Sequence, residues 1–341
     1  MEARDLDMRT SARALVARGK GILAADESFP TIEKRFKPLG VESTEENRRA
    51  YRGMLFSAPG VEAHISGVIL FDETIRQEDP SGVPFPELLA SRGIIPGIKV
   101  DKGAKPLAGC PGEKRTEGLD GLRERLAQYR ELGARFTKWR AVYSITEDTP
   151  TATCIRTNAA DLALYAALAQ EAGLVPIVEP EVLMDGTHTI ERSACVTGRV
   201  LQTLFDELYL QHVDLEGLLL KPNMVLSGYD CPEQASHEQV AEETVRCLRR
   251  HVPAAVPGIV FLSGGQSEET ATLNLDHINR QGQQPWELSF SFGRALQATA
   301  MQMWARDPSD VAAAQAAYEQ RAKASAAARA GRYEASPVTA A

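Results

Sequence analysis

The stretch LEGLLLKPNMV, residues 215–225, poses a chemical question. Leu218, Leu219 and Leu220 read as a strand buried on both faces, the pattern of a parallel sheet covered by helices. Lys221 follows them directly and is itself followed by Pro222. Lysine is rarely fully buried, so an ammonium at the end of such a strand needs a reason.

Outward from this run lie seven more of the same kind: Ile22 to Asp26, Ile65 to Asp72, Ile94 to Asp101, Arg135 to Val142, Val175 to Val182, Gly258 to Gly265, and Trp286 to Gly293. With Gly217 to Met224 they number eight. Helical patterns fill the gaps, among them Asp120 to Gly133, Asn158 to Gly173 and Ser267 to Gln281. Capping boxes are expected at Ser43-Thr44-Glu45-Glu46 and Ser236-His237-Glu238-Gln239. Eight strand–helix units predict an α/β fold of the (β/α)8 TIM-barrel type. A doubly wound open sheet uses the same alternation, but the G-x-G-x-x-G expected after an early strand is absent. The expectation is a single domain over residues 1–341 with extra N- and C-terminal helices. Residues 309–341 would supply the last helix, Ala-rich from Ser309 to Ala330, and then a mobile tail.

Each apolar run ends in polar residues. Asp26 ends the first; Lys99 and Asp101 end the third; Lys138 and Arg140 the fourth; Glu179 and Glu181 the fifth. Lys221 and Asn223 end the sixth, Ser263 the seventh, and Ser291 and Arg294 accompany the eighth. Residues two apart on a strand share a face, and the carboxyl ends of barrel strands form the rim where such enzymes place their chemistry. A lysine there, near the cation Lys138, would lose hydration and feel repulsion, both lowering its pKa. That turns an amine into a nucleophile towards a carbonyl. Glu179 or Glu181 could shuttle protons, provided one of them takes a proton at working pH. Ser263-Gly264-Gly265-Gln266-Ser267 opens a helix after the seventh run, so its N–H groups could face a phosphate. Gly293-Arg294 adds a planar, permanently charged fork suited to the same anion.

Composition excludes other classes. A net charge of -8 and a pI near 5.4 speak against nucleic-acid binding. Cys110, Cys154, Cys195, Cys231 and Cys247 contain no C-x-x-C pair, which predicts reduced thiols in a cytoplasmic protein rather than disulfides or zinc. The histidines show no H-x-x-x-H or H-E-x-x-H pattern, which argues against a metal hydrolase; the expectation is no metal and no cofactor. Met1 to Gly21 is too charged for a secretory leader, and no apolar run is long enough for a membrane span.

The blocks GKGILAADES (19–28), GIKVDKGAKPLAG (97–109), FTKWRAV, VPIVEPEVL, LEGLLLKPNMV, FLSGGQSEE and SFGRALQ together resemble class I fructose-bisphosphate aldolase, in register from about Gly19 to Trp304. The resemblance implies reversible cleavage of fructose 1,6-bisphosphate into dihydroxyacetone phosphate and glyceraldehyde 3-phosphate. It makes Lys221 the imine-forming lysine and Glu179 the acid/base for forming and dehydrating the carbinolamine. Asp26 would exchange the C4 hydroxyl proton, and Lys138 would orient Glu179 and the substrate, with Glu181 as their hydrogen-bonding neighbour. By the same resemblance the C1 phosphate falls to Ser263, Gly264, Ser291, Gly293 and Arg294, and the C6 phosphate to Ser28, Thr31, Lys99 and Arg140. A homo-oligomer, by resemblance a tetramer, is also implied. An imine is an electron sink, so a metal is not required.

Three departures qualify the likeness. Phe29-Pro30-Thr31 replaces the family's usual Thr-Gly-Ser, and Pro30 is expected to stiffen that loop. Phe292 stands where the family often has Tyr. The chain ends Val338-Thr339-Ala340-Ala341 rather than in the terminal Tyr that mediates C3 proton exchange in many members, and Tyr333 is not given that role. Two rival readings are another imine-forming sugar-phosphate lyase or transaldolase, and a non-catalytic scaffold on the same fold.

Overall fold

A computed structural model describes residues 3–334 of the chain. The expected mobile tail lies largely outside these residues, and so do the terminal positions 335–341.

Eight parallel strands close into a barrel: Gly21–Ala24, Ile65–Leu70, Ile95–Lys99, Phe136–Tyr143, Val175–Val182, Leu219–Leu220, Gly258–Phe261 and Glu287–Phe292. They are called first to eighth below. The first pairs with both the second and the eighth, which closes the ring and rules out the open doubly wound sheet. All eight runs read from the sequence are present. The sixth is the shortest ladder because Pro222 has no N–H to donate. Lys221 N–H still reaches the Val178 carbonyl at 2.9 Å, and Leu262 N–H reaches the Pro222 carbonyl at 3.1 Å, so the extended path continues.

Alternation along the strands sorts side chains into two cores. Ile22, Ile69, Phe136, Val175, Ile177, Leu219 and Val260 fill the barrel interior. Met8, Ala12, Leu15 and Val16 join them and close the amino-terminal end: Leu15 and Val16 lie where a Cβ on Gly67 or Gly258, near strand starts, would stand. The expected N-terminal helix, Ala3–Leu15, thus acts as a plug. Leu23, Val68, Trp139, Val178, Leu220 and Phe261 face outward into the layer shared with the helices. Trp139 is stacked on Tyr165 with ring centroids 5.4 Å apart, fastening helix Ala152–Glu171 to the fourth strand.

Local signals set most helix starts. Ser236 forms the full capping box with Gln239. At the other expected box Thr44, not Ser43, is the cap; it accepts from Asn47 N–H, and helix Glu45–Phe56 starts one residue later. Helix Ala152–Glu171 begins before Asn158 because Thr151 caps it, accepting from Cys154 N–H. Ser267 caps Glu268–Arg280. A small antiparallel hairpin, Ala104–Pro106 with Lys114–Thr116, was not foreseen.

The last helix, Val311–Arg329, matches the Ala-rich stretch. Arg329 at its end donates to the carbonyls of Val16, Ala17 and Lys20 and pairs with Glu287 at 2.9 Å, tying it to the amino-terminal end of the barrel. Tyr333 N–H then donates to Asp276 Oδ1 at 2.8 Å, near the far end of helix Glu268–Arg280.

Candidate active site

Inward-facing parity carries Phe136 to Lys138 and Arg140 on the fourth strand, Ile177 to Glu179 and Glu181 on the fifth, and Leu219 to Lys221 on the sixth. Register sets Arg140 beside Glu179, Val142 beside Glu181, and Lys99 beside Lys138. The result is a row of alternating charge. Lys138 Nζ lies 2.6 Å from Asp26 Oδ2 and 3.0 Å from Glu179 Oε2, and Lys221 Nζ lies 3.1 Å from Glu179 Oε1. The side chains of Lys138, Glu179 and Lys221 are each 4% exposed, that of Asp26 12%. Two ammonium groups and two carboxylates therefore compensate one another where an isolated charge would be costly.

The electrostatics differ from the sequence-based expectation. Lys138 was expected to repel Lys221 and, by the resemblance, to orient Glu179; Glu179 stands between the two lysines, and Asp26 lies on the other side of Lys138. Burial works against charge on Asp26, Lys138 and Glu179, but the neighbours outweigh it. Burial alone would raise the Asp26 carboxyl; Lys138, Lys221 and Lys99 hold it well below the usual carboxylate range. Glu179 is likewise pulled down by Lys138, Lys221 and Arg140 against its burial. Lys138 is raised, because Asp26, Glu179 and Asp101 more than offset its desolvation. Glu179 is thus ionised at neutral pH.

Glu181 was expected to bond with Lys138 and Glu179; its carboxylate instead accepts from the Arg140 guanidinium. Burial opposes the Arg140 charge, but Glu181, Glu179 and Asp101 raise its pKa. Asn223 is not on the inner ring: its Oδ1 accepts from Val182 N–H at 3.0 Å and its Nδ2 donates to Thr197 Oγ1 at 3.2 Å. It braces the fifth and sixth strand ends from outside.

Around the row opens a cavity of about 580 Å³. Every residue that the family resemblance assigned to the site lines it: Asp26, Ser28, Thr31, Lys99, Lys138, Arg140, Glu179, Glu181, Lys221, Ser263, Gly264, Ser291, Gly293 and Arg294; Asp101 and Asn223, also read at strand ends, do not. The seventh-strand loop turns through Gly264 at φ +58° and Gly265 at φ +104°, conformations that favour glycine. Beside it, Gly293 caps helix Arg294–Arg306, whose N-terminal N–H groups favour an anion. Ser291 Oγ is buried with no hydrogen-bond partner among the described residues. After the first strand, Phe29-Pro30-Thr31 forms no stiffened loop. It is the first turn of helix Phe29–Phe36, where the missing proline N–H costs nothing, and Ser28 Oγ lies 3.1 Å from Thr31 Oγ1.

Sequence reasoning missed Glu27, Arg35, Asp185 and Tyr229, which also line the cavity. Arg35 was legible as a cation one to two helical turns beyond Ser28; it pairs with Glu27. Tyr229 carried no local signal. Among the described residues no group of three or more His, Cys, Asp or Glu is placed to hold a metal ion, and no helix is long and apolar enough to cross a membrane.

A buried amine touching a carboxylate, with anion-receptive surfaces on both sides, suits a (β/α)8-barrel lyase that forms an imine with a carbonyl compound carrying two anionic groups. Comparison with known proteins agrees. The family model described as Fructose-bisphosphate aldolase class-I matches residues 7–341. The chain is 59% identical over 314 residues to a probable fructose-bisphosphate aldolase class 1 of Xanthomonas campestris pv. campestris, covering 92% of this chain and 94% of that one. It is 55% identical to fructose-bisphosphate aldolase 1 of Toxoplasma gondii, over 96% of this chain and 91% of the other. Among solved structures, the Plasmodium falciparum fructose-bisphosphate aldolase in complex with TRAP and a small-molecule inhibitor superposes with a TM-score of 0.97, at 50% identity and 98% coverage of each chain. The chain belongs to the class I fructose-bisphosphate aldolase family.

Proposed function

We propose that the chain cleaves fructose 1,6-bisphosphate reversibly into dihydroxyacetone phosphate and glyceraldehyde 3-phosphate through an imine on Lys221. The observation that carries this reading is the buried row Asp26–Lys138–Glu179–Lys221. Ionised Glu179 accepts a proton from the Lys221 ammonium as the amine adds to the C2 carbonyl. It then returns that proton to the carbinolamine hydroxyl, which leaves as water. Asp26 takes the proton of the C4 hydroxyl while the C3–C4 bond breaks, and the bonding electrons move to the iminium nitrogen. Glyceraldehyde 3-phosphate departs; protonation of the enamine at C3 and hydrolysis then release dihydroxyacetone phosphate. Lys138 holds both carboxylates and keeps them ionised.

Ser263, Gly264, Ser291, Gly293 and Arg294 receive the C1 phosphate in this reading. Ser28, Thr31, Lys99 and Arg140 receive the C6 phosphate, with Glu181 steadying Arg140. We also read residues 1–341 as one domain, since both terminal helices pack on the barrel. A homotetramer is supported by family likeness and by Tyr209 and Leu210, 81% and 65% exposed at the end of helix Ile190–Leu210. A cytoplasmic location is supported by five free cysteines.

Borohydride trapping with fructose 1,6-bisphosphate in EDTA, followed by peptide mass mapping, tests the mechanism. A reduced adduct on Lys221 that disappears in Lys221→Met is expected. An adduct on Lys138, or none, would mean the nucleophile is misassigned.

A further inference from the structure

The loop after the seventh strand is held by the segment that follows the neighbouring sixth strand. Tyr229 lies eight residues beyond Lys221 in the chain. Its N–H donates to the Met184 carbonyl at 2.8 Å, while Gly228 and Asp230 bond to the carbonyls of His188 (2.8 Å) and Gly186 (3.0 Å). The segment after the sixth strand is thereby zipped to the segment after the fifth. From this anchorage the Tyr229 hydroxyl donates to the Gly264 carbonyl at 3.1 Å; Met184 Sδ, at 3.5 Å, is the more distant and weaker acceptor. A Cβ on Gly265 would stand 3.1 Å from Arg294 Nη2 and 3.5 Å from the Tyr229 ring, so that residue is enclosed between guanidinium and phenol.

We infer that Tyr229 is a positioning residue for the C1 phosphate, acting through the Gly264–Gly265 peptide. The inference rests on the reading of this loop as the C1-phosphate end. In a trans peptide the C=O and N–H point in opposite directions, so a hydroxyl that captures the Gly264 carbonyl turns the Gly265 N–H away from the phenol. Both glycines sit at positive φ, where neither side chain nor backbone strain resists rotation of the peptide between them. Flipped, that peptide offers an anion a carbonyl oxygen in place of a donor. The Tyr229 bond selects the orientation that suits phosphate, and it links the loop to the segments that follow Glu181 and Lys221.

Tyr229→Phe in the full chain removes only a hydroxyl from a residue that is 43% exposed, so the fold is retained. In the condensation direction, KM for dihydroxyacetone phosphate is expected to rise about five-fold, the equilibrium worth of one hydrogen bond. KM for glyceraldehyde 3-phosphate and kcat stay unchanged. Arg294→Ala, measured alongside, raises the dihydroxyacetone phosphate KM further. An unaltered Tyr229→Phe beside an impaired Arg294→Ala overturns the role of Tyr229 and leaves the phosphate reading standing. If both variants are unaltered, that reading falls and the inference falls with it. A lowered kcat, or slower exchange of the C3 proton at unchanged KM, also overturns positioning, because the hydroxyl would then act on the reacting carbon.

Discussion

Lys221 Nζ and Glu179 Oε1 stand 3.1 Å apart with both side chains almost fully buried. That is hydrogen-bonding distance, so a proton can pass directly from ammonium to carboxylate, as the proposed imine chemistry requires. Glu179→Gln keeps the shape and removes the basicity. Its kcat is expected to fall by about 10² to 10⁴, the usual range for a general acid–base group. Rapid-quench borohydride trapping should show the imine forming more slowly; an unchanged trapping rate would assign the proton transfers elsewhere.

Lys138→Met leaves Asp26 and Glu179 buried with one fewer cation. Removing one partner of a buried ion pair costs about 3 to 5 kcal/mol, and urea unfolding at pH 7 measures it. A loss below 1 kcal/mol would mean that water already screens the row.

Acid pH should weaken the protein through the same carboxylates. Asp26 and Glu179 are held below their ordinary range when folded, whereas in the unfolded chain they titrate near pH 4. Their contribution is therefore complete above about pH 5 and is lost as pH falls through the depressed folded values, where the unfolded state binds more protons. Asp26→Asn should show a shallower decline of unfolding free energy between about pH 5 and 3. Parallel curves for the two proteins would refute the assignment.

Two glycines make opposite predictions. A Cβ on Gly97 would stand 2.3 Å from the Phe136 ring inside the barrel, so Gly97→Ala should cost about 1 to 3 kcal/mol by overpacking. On Gly53, within helix Glu45–Phe56, a Cβ meets Phe85 at an ordinary 3.5 Å. Gly53→Ala should stabilise by about 0.5 to 1 kcal/mol through helix propensity. Thermal melts of the two variants decide both signs.

The legible parts of the fold were those written in local pattern. Eight apolar runs became eight strands because burial on both faces demands continuous apolar sequence. Ser236 and Ser267 marked helix starts because a cap acts within three residues. The hairpin Ala104–Pro106 with Lys114–Thr116 was invisible, being short, polar and partly exposed. Thr44 displaced Ser43 as cap by a one-residue shift that propensity alone does not resolve. Asn223 was counted on the inner rim by period-two reasoning, but Pro222 ends the ladder, and its bonds to Val182 and Thr197 take it outside.

By itself the sequence determined the barrel, the face of the strand residues up to the point where Pro222 ends the sixth ladder, and the charged residues that strands three to six bring to the rim, because side-chain parity and apolar continuity are local properties of the chain. Tertiary structure alone decided how the charges pair. Glu179 lies between Lys138 and Lys221, Glu181 turns to Arg140, and Tyr229 clasps Gly264. Those choices depend on barrel closure and loop geometry that bring residues far apart in sequence within about 3 Å, the range over which a hydrogen bond is made or lost. They also set the protonation states, since burial raises a carboxylate's pKa and a neighbouring ammonium lowers it, and only the distances say which prevails.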